Sequence, residues 1–209
     1  MERERITISI KKKILEKVDA EIDGTNIRNR SHAIETFVTK GIGYSPEKNA
    51  VILLGGDNAL KSIPATRVYL KKLKESGFDK IVIAVGFLGD KVKEKLGSGE
   101  EFGLQIQYTD KGEGSGGAIS TLKKSFKNTF LVFNIGKVYD IDLNTCLEYH
   151  KNRRVVATVL TNDLNTMEGI YILEPETFAL IPRGFSMLED EILPKLIKAG
   201  KIAVLPQVH

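Results

Sequence analysis

The sequence predicts an α/β protein in two parts, a short strand-helix-helix segment and then a larger domain on a mostly parallel sheet. Three observations carry this expectation. Arg5-Ile6-Thr7-Ile8-Ser9-Ile10 alternates strictly between polar and apolar ahead of two short helical patterns. A break rich in glycine, with one proline, spans residues 41–49, and from residue 51 onward short apolar runs alternate with helical patterns.

The opening alternation sends Ile6, Ile8 and Ile10 to one face of a strand and Arg5, Thr7 and Ser9 to the other. A lone strand cannot satisfy its own backbone, so pairing with the same strand of a second chain is the expected outcome. Behind it, Ile14, Leu15, Val18 and Ile22 fall at helical spacing and end near Asp23-Gly24. Asn29 caps a second helix with Ala33, Ile34, Phe37 and Val38 on one face, closed by Gly41 and Gly43. So small a segment needs a metal, disulfides or a partner to hold a core, and it has no cysteine and only His32 as a neutral ligand. An obligate homodimer follows.

The boundaries expected are 1–43 for the first domain, 44–49 for the linker and 50–209 for the second domain. In the second domain, apolar runs at 51–54, 81–85, 104–108, 130–133 and 155–160 read as strands. Helical patterns at 67–75, 90–96, 118–126 and 143–151 lie between them. Ligands of such sheets sit beyond the carboxyl ends of the strands. Two glycine-rich turns fall there: Gly55-Gly56 after AVILL, and Gly112 to Gly117 after LQIQY, where missing side chains let backbone approach a phosphate. The plain alternative is that these glycines only make tight turns.

The chain carries 31 basic and 27 acidic side chains, net +4, which is only mildly favourable for phosphate contact. Arg3, Arg5, Lys11, Lys12 and Lys13 cluster around the first strand and its exit. No apolar stretch reaches membrane-spanning length and no secretory signal pattern is present, so a cytoplasmic location is expected. Cys146, with His150 one helical turn on, reads as a packed thiol rather than a ligand pair.

RITISI, ILEKVDAEI and NRSHAIETFV in residues 3–41 together resemble a ribbon-helix-helix DNA-binding domain. The resemblance implies an intertwined dimer on double-stranded DNA, with Arg5, Thr7 and Ser9 on base edges in the major groove. It also implies phosphate contacts through Lys11, Asn29, Arg30 and Ser31, the last three at a helix start. The alternative reading of Arg5, Thr7 and Ser9 is the solvated face of an edge strand.

Residues 50–206 are similar to the sugar-phosphate nucleotidyltransferase family, through AVILLGG, FDKIVIAVGFLGDKVKEKLG, EFGLQIQY with GSGGAI, FLVFN with DIDL, EGIYILEPE and LEDEILPKLIKAGKI. The resemblance implies a Rossmann-like α/β fold. It places a nucleotide at Gly55, Gly56, Gly114, Ser115, Gly116 and Gly117, and a sugar phosphate by Glu168 and Gly169. The departures weigh against chemistry. The family's GGxGTRLxPLT loop is GGDNALKSIPATRVYL here, with no fixed counterpart for Lys61 or Arg67. The family's magnesium aspartate in NGD falls at Gly136 of Asn134-Ile135-Gly136, and the chain reaches Val208-His209 before a second one, so the domain reads as truncated. Asp57, Asp140 and Asp142 read as turn or cap residues.

The expectation is therefore a sequence-specific transcriptional regulator whose catalytically degenerate second domain senses a nucleotide or sugar phosphate or serves in assembly. It carries no catalytic residue, metal or cofactor, and a tetramer on palindromic repeats is compatible with symmetric assembly. The alternative is an active sugar-phosphate nucleotidyltransferase dimerised by the N-terminal segment.

Overall fold

The computed structural model describes residues 4–24, 27–42, 48–134, 138–161 and 169–206. The chain divides into two compact units, Met1–Pro46 and Glu47–His209.

In the first unit, α1 (Lys12–Ala20) and α2 (Arg30–Gly41) follow the two apolar stripes expected of them. Asn29 caps α2, its Oδ1 accepting from the His32 amide at 3.0 Å. Arg30 grips Asp19 through two hydrogen bonds of 2.8 and 2.7 Å, tying α2 to α1. Among the described residues only Val18 and Ala33 are buried hydrophobics of this unit, while Ile6, Ile8, Ile14, Phe37, Val38 and Ile42 are exposed. Residues 4–11 carry no regular secondary structure, and Arg5, Thr7, Ser9 and Lys11 lie exposed along them. The strand expected at residues 5–10 is therefore not formed in the single chain, which offers that segment no neighbour to complete its backbone.

In the second unit, β1 (Asn49–Leu54), β2 (Lys80–Val85), β3 (Gln105–Thr109), β4 (Phe130–Asn134), β5 (Ala157–Thr161), β6 (Gly169–Leu173) and β7 (Ile202–Pro206) form one sheet of order β3-β2-β1-β4-β6-β5-β7. The first four strands are mutually parallel. β6 runs antiparallel to both β4 and β5, and β7 is parallel to β5. The expected mostly parallel sheet is present, with the reversed strand β6 and the edge strand β7 added to the expected set.

Helices cover both faces. Ala50, Ile52 and Leu54 of β1 point to the side filled by Leu70 and Leu73 of α3 (Ile63–Glu75), Val92 of α4 (Gly89–Leu96) and Leu143 of α6 (Leu143–Arg153). Val51 points the other way, to Ile119 of α5 (Gly114–Ser120), Phe130, Phe178 and Leu196 of α7 (Leu193–Lys198). The period-two alternation within a mostly buried strand thus feeds two cores at once. Phe130 stacks on Phe178 with ring centroids 5.2 Å apart. α5 starts earlier than the periodicity suggests, at Gly114, and gives way to turns after Ser120.

Cys146 is a packed thiol: burial pushes its pKa up to about 11, and the nearby Asp142 carboxylate adds to the effect. Asp142 caps α6, accepting from the Asn144 and Thr145 amides at 2.8 and 3.2 Å. His150 is buried beside Thr158 at 2.8 Å and Glu174 at 3.0 Å, and Thr129 also donates to Glu174 at 2.8 Å. A carboxylate only accepts, so the imidazole Nε2 carries the proton. Burial pushes the Glu174 carboxyl up, but the hydrogen bonds from His150 and Thr129 outweigh it and hold the group below the usual range. A depressed carboxyl stabilises the fold above its unfolded pKa, and the contribution disappears as pH falls through the lower folded value. Glu174→Gln is expected to cost about 1–2 kcal/mol near neutrality. In urea titrations that difference from the parent should shrink as pH drops below the ordinary carboxylate range.

Candidate active site

The carboxyl ends of the parallel strands meet at one edge of the sheet. β1 runs out into Gly55-Gly56, both exposed, and an added Cβ at either would meet no heavy atom within 4 Å. Gly56 sits at φ +71°, a conformation that favours glycine. β4 ends at Asn134, which lies in register with Gly169 at the start of the reversed β6. Gly169 packs directly on β5, since a Cβ there would stand 2.3 Å from the Leu160 carbonyl. Glu168, expected beside it, and Gly136, at the expected metal position, lie outside the described residues.

The second glycine-rich turn opens α5, and its glycines admit a neighbouring loop. The Gly116 and Gly117 amides donate to the Ser186 carbonyl at 2.9 and 3.2 Å, and the Ser186 amide donates back to the Glu113 carbonyl at 3.1 Å. A Cβ on Gly114 would stand 2.3 Å from the Ser186 carbonyl oxygen, and one on Gly116 would stand 2.8 Å from the Ser186 hydroxyl. Two amides that the sequence offers to a ligand are thus used inside the protein. Ser186 itself is fully buried, and its hydroxyl has no hydrogen-bond partner among the described residues.

Beneath this turn lies Glu189, in the π-helical turn Leu188–Ile192. Its Oε2 accepts from the Ser115 hydroxyl at 2.6 Å. Its Oε1 accepts from the Asn134 side-chain amide at 2.9 Å and from the Tyr171 hydroxyl at 3.0 Å. Ser115 in turn accepts from the Leu188 amide at 2.8 Å. The structure therefore joins Ser115 to residues that sequence reasoning passed over: Ser186, Glu189 and Tyr171. The signal available was an acidic triplet inside the apolar run LEDEIL, but Ser115 and Glu189 are 74 positions apart.

Other expected groups are engaged elsewhere. Arg67 forms a two-pronged pair with Glu101 at 2.6 and 3.2 Å and lies over the Phe102 ring. Asp140 pairs with Lys72 at 3.1 Å. Among the described residues, no group of three or more His, Cys, Asp or Glu side chains could hold a metal ion, and both Glu189 oxygens are taken.

The model of the nucleotidyl transferase family matches residues 48–169. The chain belongs to that family. It is 26% identical over 188 residues to a UTP–glucose-1-phosphate uridylyltransferase of Synechocystis sp., covering 66% of this chain and 48% of that protein. It is 30% identical over 144 residues to a D-glycero-alpha-D-manno-heptose 1-phosphate guanylyltransferase of Campylobacter jejuni, covering 61% of this chain and 64% of that protein. The chain thus spans about half the length of the first relative and just under two thirds of the second. The crystal structure of HddC from Yersinia pseudotuberculosis superposes with a TM-score of 0.62 at 18% identity, over 76% of this chain and 89% of that one.

These findings overturn the expectation of a DNA-binding transcriptional regulator without an enzyme's activity. The two relatives are named as sugar-phosphate nucleotidyltransferases, which are enzymes, and the family model is that of nucleotidyl transferases. The departures at the first loop and at Gly136 describe sequence only and do not show lost activity. Among the described residues no helix is long and apolar enough to cross a membrane.

The two glycine loops differ in a way that substitution can read. Gly116→Ala is expected to destabilise the protein by about 1–3 kcal/mol, because the Ser186 side chain and carbonyl must both give way. Gly55→Ala, facing open space, should stay within about 0.5 kcal/mol of the parent in the same urea titrations.

Proposed function

We propose that this chain transfers a nucleotidyl group from a nucleoside triphosphate to a sugar 1-phosphate. A phosphate oxygen of the sugar phosphate attacks the α-phosphorus, the bond to the β-phosphate oxygen breaks, and pyrophosphate leaves. The observation that carries the reading is the family match over residues 48–169, which spans both the open Gly55-Gly56 loop and the Ser115 turn. The open backbone after β1 suits a triphosphate, which needs close approach without side-chain interference. Asn134 and Gly169, in register across β4 and β6, border the same edge and suit the sugar phosphate.

Members of this family resemble magnesium-dependent enzymes, and the described donors do not fit a protein-held ion of that kind. The Glu189 oxygens are committed to neutral donors, Asp140 to Lys72 and Asp142 to a helix cap.

A panel of UTP, GTP, CTP and dTTP with glucose, mannose and heptose 1-phosphates, in magnesium buffer, tests the reading through pyrophosphate release. At least one pair is expected to turn over, and Gly55→Ala should raise the KM for its triphosphate several-fold with stability kept. No pyrophosphate release from any pair would overturn it.

The N-terminal unit serves this enzyme as a self-association module. Its support is the imbalance between its buried hydrophobics, Val18 and Ala33, and the six large apolar side chains it leaves exposed. A unit of this size stands below the range in which a core holds without help. The alternating segment at residues 5–10 is the natural pairing element between two copies. Sedimentation equilibrium is expected to give a dimer at micromolar concentration, with Ile8→Asp shifting it to monomer while the turnover domain stays folded. A parent protein that sediments as a monomer throughout would refute the module.

A further inference from the structure

Glu189 has no role assigned by the substrate reading above, yet it collects three side-chain donors distant from it in sequence. Its three donors come from three different elements. Ser115 belongs to α5, Asn134 ends β4 and Tyr171 lies in β6. Hydrogen bonds to an ionised acceptor are roughly twice as strong as neutral ones. Here all three donors are neutral, so the carboxylate is held by geometry and not by a counter-charge.

The arrangement is also reciprocal. Ser115 donates to Glu189 while accepting from the Leu188 amide, so the turn that carries Glu189 is itself fastened by the residue Glu189 holds. The Ser186 carbonyl adds a second clasp to the Gly116 and Gly117 amides. Neighbouring carboxylates do not share the task. Glu191 closes its own turn by accepting from the Met187 amide at 3.1 Å, and Asp190 is exposed.

We propose that Glu189 is a positioning residue that locks the glycine-rich turn of α5 to the adjoining ends of β4 and β6, fixing the nucleotide side of the site relative to the sugar side. The assignment of those two sides rests on the function proposed above, whereas the lock itself does not. Misplacement of reacting groups by about 1 Å can cost on the order of a hundredfold in rate, so such a lock bears directly on turnover. The role needs acceptor shape and not charge. In Glu189→Gln the amide oxygen still accepts from Asn134 and Tyr171. The amide nitrogen can donate to Ser115, whose hydroxyl has a lone pair left beside the Leu188 contact.

Hydrogen exchange on the full chain tests the lock without substrate. In Glu189→Ala, amides in residues 112–120 and 186–192 are expected to exchange about tenfold faster or more, with β1 and β2 unchanged, whereas Glu189→Gln should stay within about threefold of the parent. Ser115→Ala, which deletes one bond and creates little space, should loosen residues 112–120 even if Glu189→Ala fails to fold. Unchanged protection in Glu189→Ala and Ser115→Ala would overturn the proposal. So would equal loosening in Glu189→Gln and Glu189→Ala, which would mark a role for charge. With a substrate pair that turns over, Glu189→Ala should lower kcat about tenfold or more, Glu189→Gln should recover most of it, and the pH profile should keep its shape. A parent that turns over nothing in the panel would defeat the substrate reading, and the exchange pattern would still decide the lock.

Discussion

β6 runs against both strands beside it, and this reversal sets the geometry of the site. Because β4 leaves the sheet at the edge where β6 enters it, Asn134 and Gly169 stand in register. The same pairing aligns Tyr171 with Val132, two residue pairs further into the sheet, and its hydroxyl reaches the carboxylate that Asn134 also holds. A parallel strand in this place would bring a different end to the edge and separate these groups. The carboxylate can collect donors from so many elements because the sheet turns back on itself once, between β4 and β5.

The alternation of apolar runs and helical stripes made the first half of the sheet legible, and β1 to β4 lie where those runs predict. β6 was not among the expected strands, although GIYIL is a continuous apolar run like those of β1 and β4. Its direction is a tertiary fact, set by pairing with partners distant in sequence. The two glycine-rich turns were legible as special positions, but their use was not. Gly55 and Gly56 open outward, while Gly114 and Gly116 make room for Ser186. Composition cannot separate these cases, because a glycine demanded by a neighbouring carbonyl reads the same as one kept clear for a ligand.

The N-terminal unit shows the opposite limit. Its helices and the Asn29 cap follow from local pattern alone. The six-residue alternation at Arg5 to Ile10 also marks a strand, but strand identity needs a second strand, and a single chain supplies none. The functional inference built on that pattern went astray for a related reason. A polar face on a strand records only what is left uncovered, and it does not specify a ligand. The larger unit carried the deciding information, through a family match that no local motif in the smaller one could outweigh.

The strand order has a consequence for how this chain is made. β2, β3 and β4 each find a partner already synthesised, whereas β1 must wait for β2, which starts only at Lys80. β5 also has both its neighbours, β6 and β7, downstream, but β6 starts at Gly169, soon after β5 ends at Thr161. Asn49–Leu54, mostly buried in the finished molecule, therefore emerges as the sticky orphan that waits longer for its partner during translation. That interval is where aggregation and chaperone capture of the nascent chain would concentrate.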